Sequence, residues 1–434
     1  YAAFAATGDG TITYQGAVMA DLQKLSVVDG TISVSGATNE SFSLTEQQLA
    51  DYATFEATGS GTVTLTGVTA TGVSAAIGKV TVDSGIFAVH AASGENIVLS
   101  QAEFAQIDSI STTGSGNLTL NGYNASSLEA VITKTSVDGT LTVNGASGTS
   151  FVFTQSDLDD VDVLTATGTG NVTLSGVTGL RLAAALSAIS VENGSFAITG
   201  ASGESFTITE SDLAELASLE ATGDGNIILN GATASGLDAD LAKLSVTETG
   251  NLTVNGADGE NLSVTKAQLD DLVALNVADG GTLTITGLTE ADFANDLAKV
   301  SATGGLVLTG AEGESFSISK TVLGGINQFA VTGSGGVTLT DVTAASLTAD
   351  VAKITVDTGK ISIIAADGEN LTLTQAEAAS YGSVAVTGAG NITVTEVSGD
   401  VSAVLDNLTV ASGTISISAV ADQNLSITET ALGE

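Results

Sequence analysis

The 434-residue sequence contains no cysteine, no proline and no tryptophan. Without cysteine the chain can have neither a disulfide framework nor a thiolate metal site, and the absence leaves the cellular compartment open. Cations are scarce too, because ten lysine and arginine residues face 49 acidic residues, which gives a formal net charge of −39. Such a surface repels nucleic acid phosphates and anionic lipid headgroups. We therefore expect neither nucleic acid nor a membrane among its partners.

Long apolar runs are also missing. No stretch approaches the roughly 18 apolar residues that a membrane-spanning helix needs. The chain starts at Tyr1 without a basic, apolar leader, which we interpret as a processed mature form or a segment of a longer protein. Hydrophobic residues nevertheless make up 43% of the chain, so it has the material for a packed core.

What the sequence has in abundance is repetition. Residues 58–67 combine a polar turn containing two glycines with a strand pattern, in which Val63 and Leu65 point one way and the threonines between them the other. The first glycine of this turn recurs about every 54 residues, the signature of a repeat architecture. It is found at Gly8, Gly59, Gly114, Gly168, Gly223, Gly280, Gly333 and Gly388. We predict one solenoid array over residues 1–434, with repeats at 1–57, 58–112, 113–166, 167–221, 222–276, 277–331, 332–386 and 387–434.

Each repeat is predicted to hold several strands and two short helices. Apolar residues at helical spacing, Val73, Ala76, Ile77 and Val80, mark the inner face of the first helix. From residue 62 the predicted order is strand Thr62–Thr66, helix Gly72–Lys79, a strand region Val80–Val89 broken by a turn, strand Ile97–Leu99, and a second helix from Ser100 through Ile107.

The second helix has a recurring start signal, the capping box, in which a Ser or Thr is followed three residues later by an acidic or amide side chain. The pairs are Thr45 with Gln48, Ser100 with Glu103, Thr154 with Asp157, Thr209 with Asp212, Thr265 with Gln268 and Thr374 with Glu377. In the sixth and eighth instances along the chain, Ser319 and Thr428, only the N-cap hydroxyl is kept.

Two strand–helix passes per repeat, of about 24 and 31 residues, predict an elongated α/β solenoid with strand ladders and short helices. This arrangement resembles that of leucine-rich repeat proteins, whose units are 20–29 residues long. The asparagine column of that family is not kept, so the resemblance implies the architecture and not the family's function. We favour all-parallel ladders over antiparallel hairpins at Asp29-Gly30 and Asp138-Gly139, where Asp-Gly is also a hairpin turn signal.

The composition, rich in Ser, Thr, Gly, Ala and Val, resembles that of repetitive bacterial surface proteins, namely S-layer proteins, filaments and large adhesins. The resemblance implies an extracellular, cell-surface location and a structural function. No repeat carries a singular group of reactive residues, so we predict no enzymatic activity, no catalytic residues and no required cofactor.

The two ends of the sequence fit together in the repeat frame. Residues 1–8 align with residues 52–59, and residues 428–434 align with residues 45–51. Solenoids normally need caps at their ends, so we predict a head-to-tail contact between copies, the alternative being a window from a longer tandem array. The predicted interface residues are Tyr1, Phe4, Thr428, Leu432 and Glu434.

Six of the ten cationic residues, the lysine column, share one repeat position near the end of the first helix: Lys24, Lys79, Lys134, Lys243, Lys299 and Lys353. Lysine at this position neutralises the negative end of a helix. The alternative is that the lysine column pairs with acidic turns of a neighbouring copy.

Six glutamates, the glutamate column, follow a turn in successive repeats: Glu40, Glu95, Glu204, Glu260, Glu314 and Glu369. Stacked carboxylates repel unless a hard cation lies between them, so the column is a candidate calcium site, with a solvated acidic edge as the alternative. The calcium-binding nonapeptide and the twelve-residue calcium loop are both absent.

Other functional hypotheses are weaker. Outward threonines such as Thr62, Thr64 and Thr66 are typical of an ice-binding face, but Asn117 and Ile228 interrupt the pattern. The single histidine, His90, is interpreted as an incidental surface residue. The main rival is a binding module for cell-surface glycans or calcium, or an adhesin stalk; a carbohydrate-active β-helix enzyme would need a non-repeated acidic cleft.

Overall fold

The structure is a computed structural model that describes residues 3–125 and 128–428. Its backbone contacts group into two compact units. The first unit comprises Tyr1–Phe206, Ser211–Gly225 and Lys243–Thr249, and the second comprises Thr207–Glu210, Asn226–Ala242 and Gly250–Glu434.

The helices are short, at most seven residues, and a 3₁₀ turn at Gly179–Arg181 precedes the seventh. In chain order they are α1 (Met19–Leu22), α2 (Glu46–Ala50), α3 (Val73–Lys79), α4 (Gln101–Phe104), α5 (Glu129–Lys134), α6 (Gln155–Leu158), α7 (Leu182–Ala188), α8 (Glu210–Ala214), α9 (Leu237–Lys243), α10 (Lys266–Asp270), α11 (Phe293–Ala298), α12 (Lys320–Gly324), α13 (Leu347–Val351), α14 (Gln375–Ser380) and α15 (Ser402–Leu405).

The strands are equally short. Those of the first four repeats are β1 (Phe4–Ala6), β2 (Thr11–Ala17), β3 (Leu25–Val27), β4 (Thr31–Gly36), β5 (Phe42–Thr45), β6 (Tyr52–Ala57), β7 (Val63–Val68), β8 (Val80–Val82), β9 (Phe87–Ala91), β10 (Ile97–Ser100), β11 (Ser109–Thr112), β12 (Leu118–Tyr123), β13 (Thr135–Val137), β14 (Leu141–Gly145), β15 (Phe151–Thr154), β16 (Val163–Ala166), β17 (Val172–Val177), β18 (Ile189–Val191), β19 (Phe196–Gly200), β20 (Phe206–Thr209) and β21 (Ser218–Ala221).

Those of the remaining repeats are β22 (Ile227–Ala232), β23 (Leu244–Val246), β24 (Leu252–Gly256), β25 (Leu262–Thr265), β26 (Ala274–Val277), β27 (Leu283–Leu288), β28 (Val300–Ala302), β29 (Leu306–Gly310), β30 (Phe316–Ser319), β31 (Ile326–Val331), β32 (Val337–Val342), β33 (Ile354–Val356), β34 (Ile361–Ala365), β35 (Leu371–Thr374), β36 (Ser383–Val386), β37 (Ile392–Val397), β38 (Gly399–Asp400), β39 (Leu408–Val410), β40 (Ile415–Ala419) and β41 (Leu425–Ser426).

One repeat is two coils of a solenoid. The first coil contains β6, β7 and α3, and the second contains β8, β9, β10 and α4, after which β11 begins the pattern again. The predicted elements are confirmed in their order, with small differences at their ends, but the strand between the second helix and the next glycine turn, Ser109–Thr112 in this repeat, was not predicted. The first strand is Val63–Val68, and the second helix stops at Phe104 although we predicted it to reach Ile107.

The coils stack through parallel strands, as predicted. Most strands pair with the strand two places further along the chain, and Val63 of β7, for example, lies between Phe42 and Phe87. Near the end of the described chain, β36, β37 and β38 pair instead with the strand three places further, which is β39, β40 and β41 respectively. The antiparallel alternative is wrong at both Asp-Gly turns. The two strands that flank Asp29-Gly30 do not pair with each other, because β3 pairs with β1, and β4 pairs with β2 and β6. The same holds at Asp138-Gly139, where β13 pairs with β11, and β14 pairs with β12 and β16.

The core of each unit runs between the ladders and the helices. Val63, Leu65 and Ile77 are fully buried, and Phe42 packs edge-on against Phe55 at 4.9 Å between ring centroids. Each such Val, Leu or Phe contributes roughly 1.5–3 kcal/mol when it is buried. A coil buries its apolar face only against the coils before and after it, so every inner coil depends on two neighbours.

Glycines allow the turns of successive coils to approach closely. A side chain at Gly61 would overlap the carbonyl oxygen of Glu40, and one at Gly85 would overlap the carbonyl oxygen of Gly61. The same overlap recurs in later repeats, for example at Gly335 with Glu314. Glycine at these positions, each of which follows the first glycine of its repeat, is thus a consequence of backbone-to-backbone contact between coils.

Candidate functional site

The lysine column holds neighbouring coils together. The ammonium group of Lys79 donates to the carbonyl oxygens of Leu49 (3.2 Å) and Ala50 (3.0 Å) at the end of α2, the helix of the preceding coil. Equivalent bonds join Lys134 to Ile107 (2.8 Å), Lys243 to Leu213 (3.0 Å), Lys299 to Leu269 (3.0 Å) and Lys353 to Leu323 (2.9 Å). Neutralisation of a helix end is therefore confirmed, but the helix belongs to the preceding coil.

The first member of the lysine column differs from the others. Lys24 donates to the Asp21 carboxylate at 3.1 Å, on its own helix. Tyr14 donates to the same carboxylate at 2.9 Å. The hydrogen bond from Lys24, and to a lesser extent the one from Tyr14, lowers the pKa of Asp21. Because β1 and β2 lie at the edge of their sheets, Lys24 has no helix before it among residues 3–125.

The fourth repeat has no lysine in the column, since Ala188 occupies that position. We expect Ala188→Lys to stabilise this repeat by about 0.3–1 kcal/mol, because the ammonium group would reach the carbonyl oxygens at the end of α6. Denaturant unfolding and amide exchange of β16 to β18 would measure the gain. Ala188→Gln is the matched control, and Lys243→Ala should lose a similar amount. A destabilising Ala188→Lys would contradict the capping role.

The glutamate column caps turns. Glu95 accepts the backbone N–H of Ala70 at 2.8 Å, in the turn before α3 of the preceding coil. The same bond joins Glu40 to Met19 (3.4 Å), Glu204 to Gly179 (3.0 Å), Glu260 to Ala234 (3.4 Å) and Glu369 to Ala344 (2.9 Å). In the repeat of Glu314 the contact is reversed, since Glu290 in the turn accepts the N–H of Ser317.

These bonds give the glutamate column a structural function between coils. Across residues 3–125 and 128–428, no three His, Asp or Glu side chains converge as a metal ion would require. Calcium binding by the column therefore stays a proposal.

Sequence analysis missed a second set of contacts between coils, made by the first residue of the even-numbered helices. In five repeats this residue bonds the turn before the next odd-numbered helix. The pairs are Glu46 with Thr69, Glu210 with Thr233, Lys266 with Asp292, Lys320 with Thr343 and Gln375 with Ser398. This repeat position is occupied by Glu in some repeats and by Gln or Lys in others, so the sequence shows no single residue type there. The residue type at each site is explained by its spatial partner, which lies 23 or 26 residues later in the chain.

Lys266 is at the centre of the most highly charged of these contacts. Its ammonium group lies 2.7 Å from Asp270, 3.2 Å from Asp292 and 3.9 Å from Asp296. Asp296 is only 2% exposed, and burial raises its pKa although Lys266 opposes the rise. The hydrogen bond to Asp270 is the main cause of the raised pKa of Lys266. This cluster is an internal cross-link, since all of its members lie within the second unit.

The first coil exposes apolar side chains that inner coils bury. Phe4 on β1 is 56% exposed, whereas Phe55, its counterpart on β6, is fully buried. Ile12 and Tyr14 on β2 are half-buried, and with Phe4 and Leu25 they line an open cavity of about 430 Å³. The first coil therefore presents an unfilled end of the core.

The last described coil, which belongs to the second unit, shows the same feature. Ile417 is 36% exposed, Leu425 43% and Ile427 40%, whereas their counterparts Ile363, Leu371 and Leu373 are at most 1% exposed. Strand β40 is the last strand of its sheet, and β41 ends another. Of the predicted interface residues, Phe4 and Thr428 are thus on exposed edges, while Tyr1, Leu432 and Glu434 lie outside the described residues.

The outward strand face carries hydrogen-bonded side chains between coils. Asn230, Asn255 and Asn276 form an amide ladder with bonds of 2.7 and 2.8 Å. His90 shares a 2.5 Å hydrogen bond with the hydroxyl of Ser111 on the same exposed face. These ladders add polar contacts between coils in the manner of stacked amides in other parallel sheets.

Comparisons with known proteins add little. No family model and no curated protein matches the chain. Among solved structures, the chain is similar to the leucine-rich repeat ectodomain of the Arabidopsis receptor kinase HAESA, at 13% identity and a TM-score of 0.15. The alignment covers 93% of this chain and 66% of the HAESA chain, just under two thirds of it. The leucine-rich repeat ectodomain of GASSHO1/SCHENGEN3 from Arabidopsis thaliana aligns with 98% of this chain and 77% of its own length, at 8% identity and a TM-score of 0.16. The repeat solenoid is evident from the chain's own parallel strand ladders.

In the described part of the chain, none of the helices has both the length and the apolar character needed to cross a bilayer.

Proposed function

We propose that this protein is an extracellular structural protein whose copies assemble end to end into a filament or surface array. The observation that carries the proposal is the pair of open end coils, in which Phe4, Leu425 and Ile427 are exposed at positions that every inner repeat buries. Covering three such side chains contributes several kcal/mol, because each removes apolar area from water. A second copy offers surfaces of matching type at both ends.

The functional contacts of the chain support a scaffold rather than a binding site. The lysine column, the glutamate column and the contacts of the even-numbered helices all join one coil to the next. The charge of −39 keeps such a protein soluble but makes its copies repel one another. Assembly should therefore increase between about 0.01 and about 0.15 M salt, where the Debye length falls from roughly 30 to 8 Å.

The direct test is negative-stain electron microscopy and sedimentation of the purified chain, compared with Leu425→Asp/Ile427→Asp. We expect polymers for the unaltered chain and single particles for the double variant, because two carboxylates cannot be buried in an apolar joint. The matched control is Val98→Asp/Val152→Asp, which adds the same charge at strand valines that are 50% and 61% exposed in inner repeats. Monodisperse unaltered protein at all salt concentrations would refute the proposal.

A metal is not required for assembly in this proposal. A chelator should leave the polymers intact, and calcium should act only as any salt of equal ionic strength does. Loss of polymer with the chelator and recovery with calcium would instead assign the glutamate column to cation binding between copies.

A further inference from the structure

We infer that the joint between two copies is a continuation of the parallel ladders, in which β40 and β41 of one copy pair with β1 and β2 of the next. This inference rests on the proposed self-assembly and specifies its geometry. The occupant of each open end is a second copy of this chain, because the interface required is the one that the chain already forms between its own repeats.

The register follows from the inner repeats. Strands β34 and β35 correspond to β40 and β41, and they pair with β36 and β37 so that Ile363 faces Val384 and Leu371 faces Ile392. In the repeat frame Val384 corresponds to Phe4 and Ile392 to Ile12. The joint therefore pairs Ile417 with Phe4, Leu425 with Ile12 and Ile427 with Tyr14, which places all of these half-exposed side chains in one core.

A glycine in the first coil is independent evidence for a covered face. Gly10 has no atom within 4 Å of the position that a β-carbon would occupy. Its counterparts Gly61, Gly225 and Gly390 would each overlap a carbonyl oxygen of the preceding coil, that of Glu40, Glu204 and Glu369. Within this chain nothing requires glycine at position 10, whereas a copy docked in the ladder register would require it.

Lys24 fits the same joint. It occupies the position from which the other members of the lysine column reach the preceding coil, but in the single chain it bonds Asp21 instead. In the repeat frame the carbonyl groups that Lys24 would meet across the joint belong to Leu432 and Gly433, which lie outside the described residues.

Cysteine cross-linking tests the register, since the chain has no cysteine of its own. Ser426→Cys and Thr13→Cys, made on separate chains, lie on exposed outward faces and become direct neighbours in the joint. Adjacent strands are about 4.8 Å apart, within disulfide range. We expect mild oxidation of the equimolar mixture to give disulfide-linked dimers in up to about half of the chains, because a Ser426→Cys chain meets a Thr13→Cys chain at only half of its joints. Ser426→Cys mixed with Gln15→Cys, displaced by two residues to about 8 Å, should give at least fivefold less.

Gly10→Ala provides the second measurement. The variant should fold as the unaltered chain does but lose at least tenfold in polymer yield, because its methyl group occupies the place of a carbonyl oxygen of the next copy. Gly78→Ala, at another glycine without neighbours within 4 Å, should assemble normally. Polymers that persist with Gly10→Ala and lack the Ser426–Thr13 cross-link would overturn this joint while leaving self-assembly standing. Absence of polymer from every chain would refute the self-assembly itself.

Discussion

Gly85→Ala is expected to unfold the second repeat locally, at a cost at or above the roughly 1–3 kcal/mol typical of an overpacked site. A methyl group at Gly85 would overlap the carbonyl oxygen of Gly61, and both partners are backbone, so neither can move aside as a flexible side chain would. The strands that follow Gly61 and Gly85, β7 and β9, are paired at five positions and would have to separate. Amide hydrogen exchange should therefore rise in β7, β9 and β11.

The control for Gly85→Ala is Gly78→Ala, in the same repeat. Gly78 lies in α3, is exposed, and has no atom within 4 Å of the position that a β-carbon would occupy. Alanine there should stabilise the helix by about 0.5–1 kcal/mol, because it reduces the conformational freedom of the unfolded chain. Equal exchange rates in the two variants would mean that the glycine turns do not set the spacing between coils.

The repeat architecture could be predicted because its signals are local. The alternation at Val63 and Leu65 and the capping boxes each act within one coil, and the structure confirms the boxes at Thr45, Ser100, Thr154, Thr265 and Thr374. For Ser319, which keeps only the hydroxyl, the N-cap bond to Val322 is also present. Residues that act within their own turn can be recognised without knowing what packs against them.

Contacts between coils were harder to predict, because their partners are 20 to 30 residues away. The position of the lysine column predicts helix capping, but the sequence does not show that Lys79 caps α2 rather than its own helix, α3. The charge of the glutamate column suggests cation binding or a solvated edge, whereas its carboxylates accept hydrogen bonds from backbone N–H groups of the preceding coil. These contacts depend on which residues of adjacent coils lie opposite each other, and that register is known only once the coils are stacked.

Lys266→Met is expected to destabilise the second unit strongly at neutral pH. The cost should approach the lower end of the roughly 3–5 kcal/mol that loss of one partner of a buried ion pair produces. Asp296 is 2% exposed and its Oδ2 atom makes no hydrogen bond, so Lys266 is the nearest cation that compensates its charge. Lys299 also favours the ionised form of Asp296, which limits the loss.

The effect of Lys266→Met should depend on pH, and its sign follows from Asp296. Burial raises the pKa of Asp296 in the folded chain, and removal of Lys266 raises that pKa further. A raised carboxyl pKa favours folding at low pH, and that contribution is lost as the pH rises through the folded pKa. The difference between variant and unaltered chain should therefore be largest at pH 7 and shrink as the pH falls toward the ordinary carboxyl value of about 4.

Two further variants complete the experiment on Lys266. Lys360→Met removes the same charge from an exposed lysine and should have little effect at any pH. Lys266→Met/Asp296→Val should recover most of the lost stability and remove its pH dependence, since Val131 and Ala185 are buried at the equivalent position of other repeats. A Lys266→Met variant whose instability is unchanged between pH 7 and pH 4, or is not relieved by Asp296→Val, would show that Asp296 is not the group that Lys266 compensates.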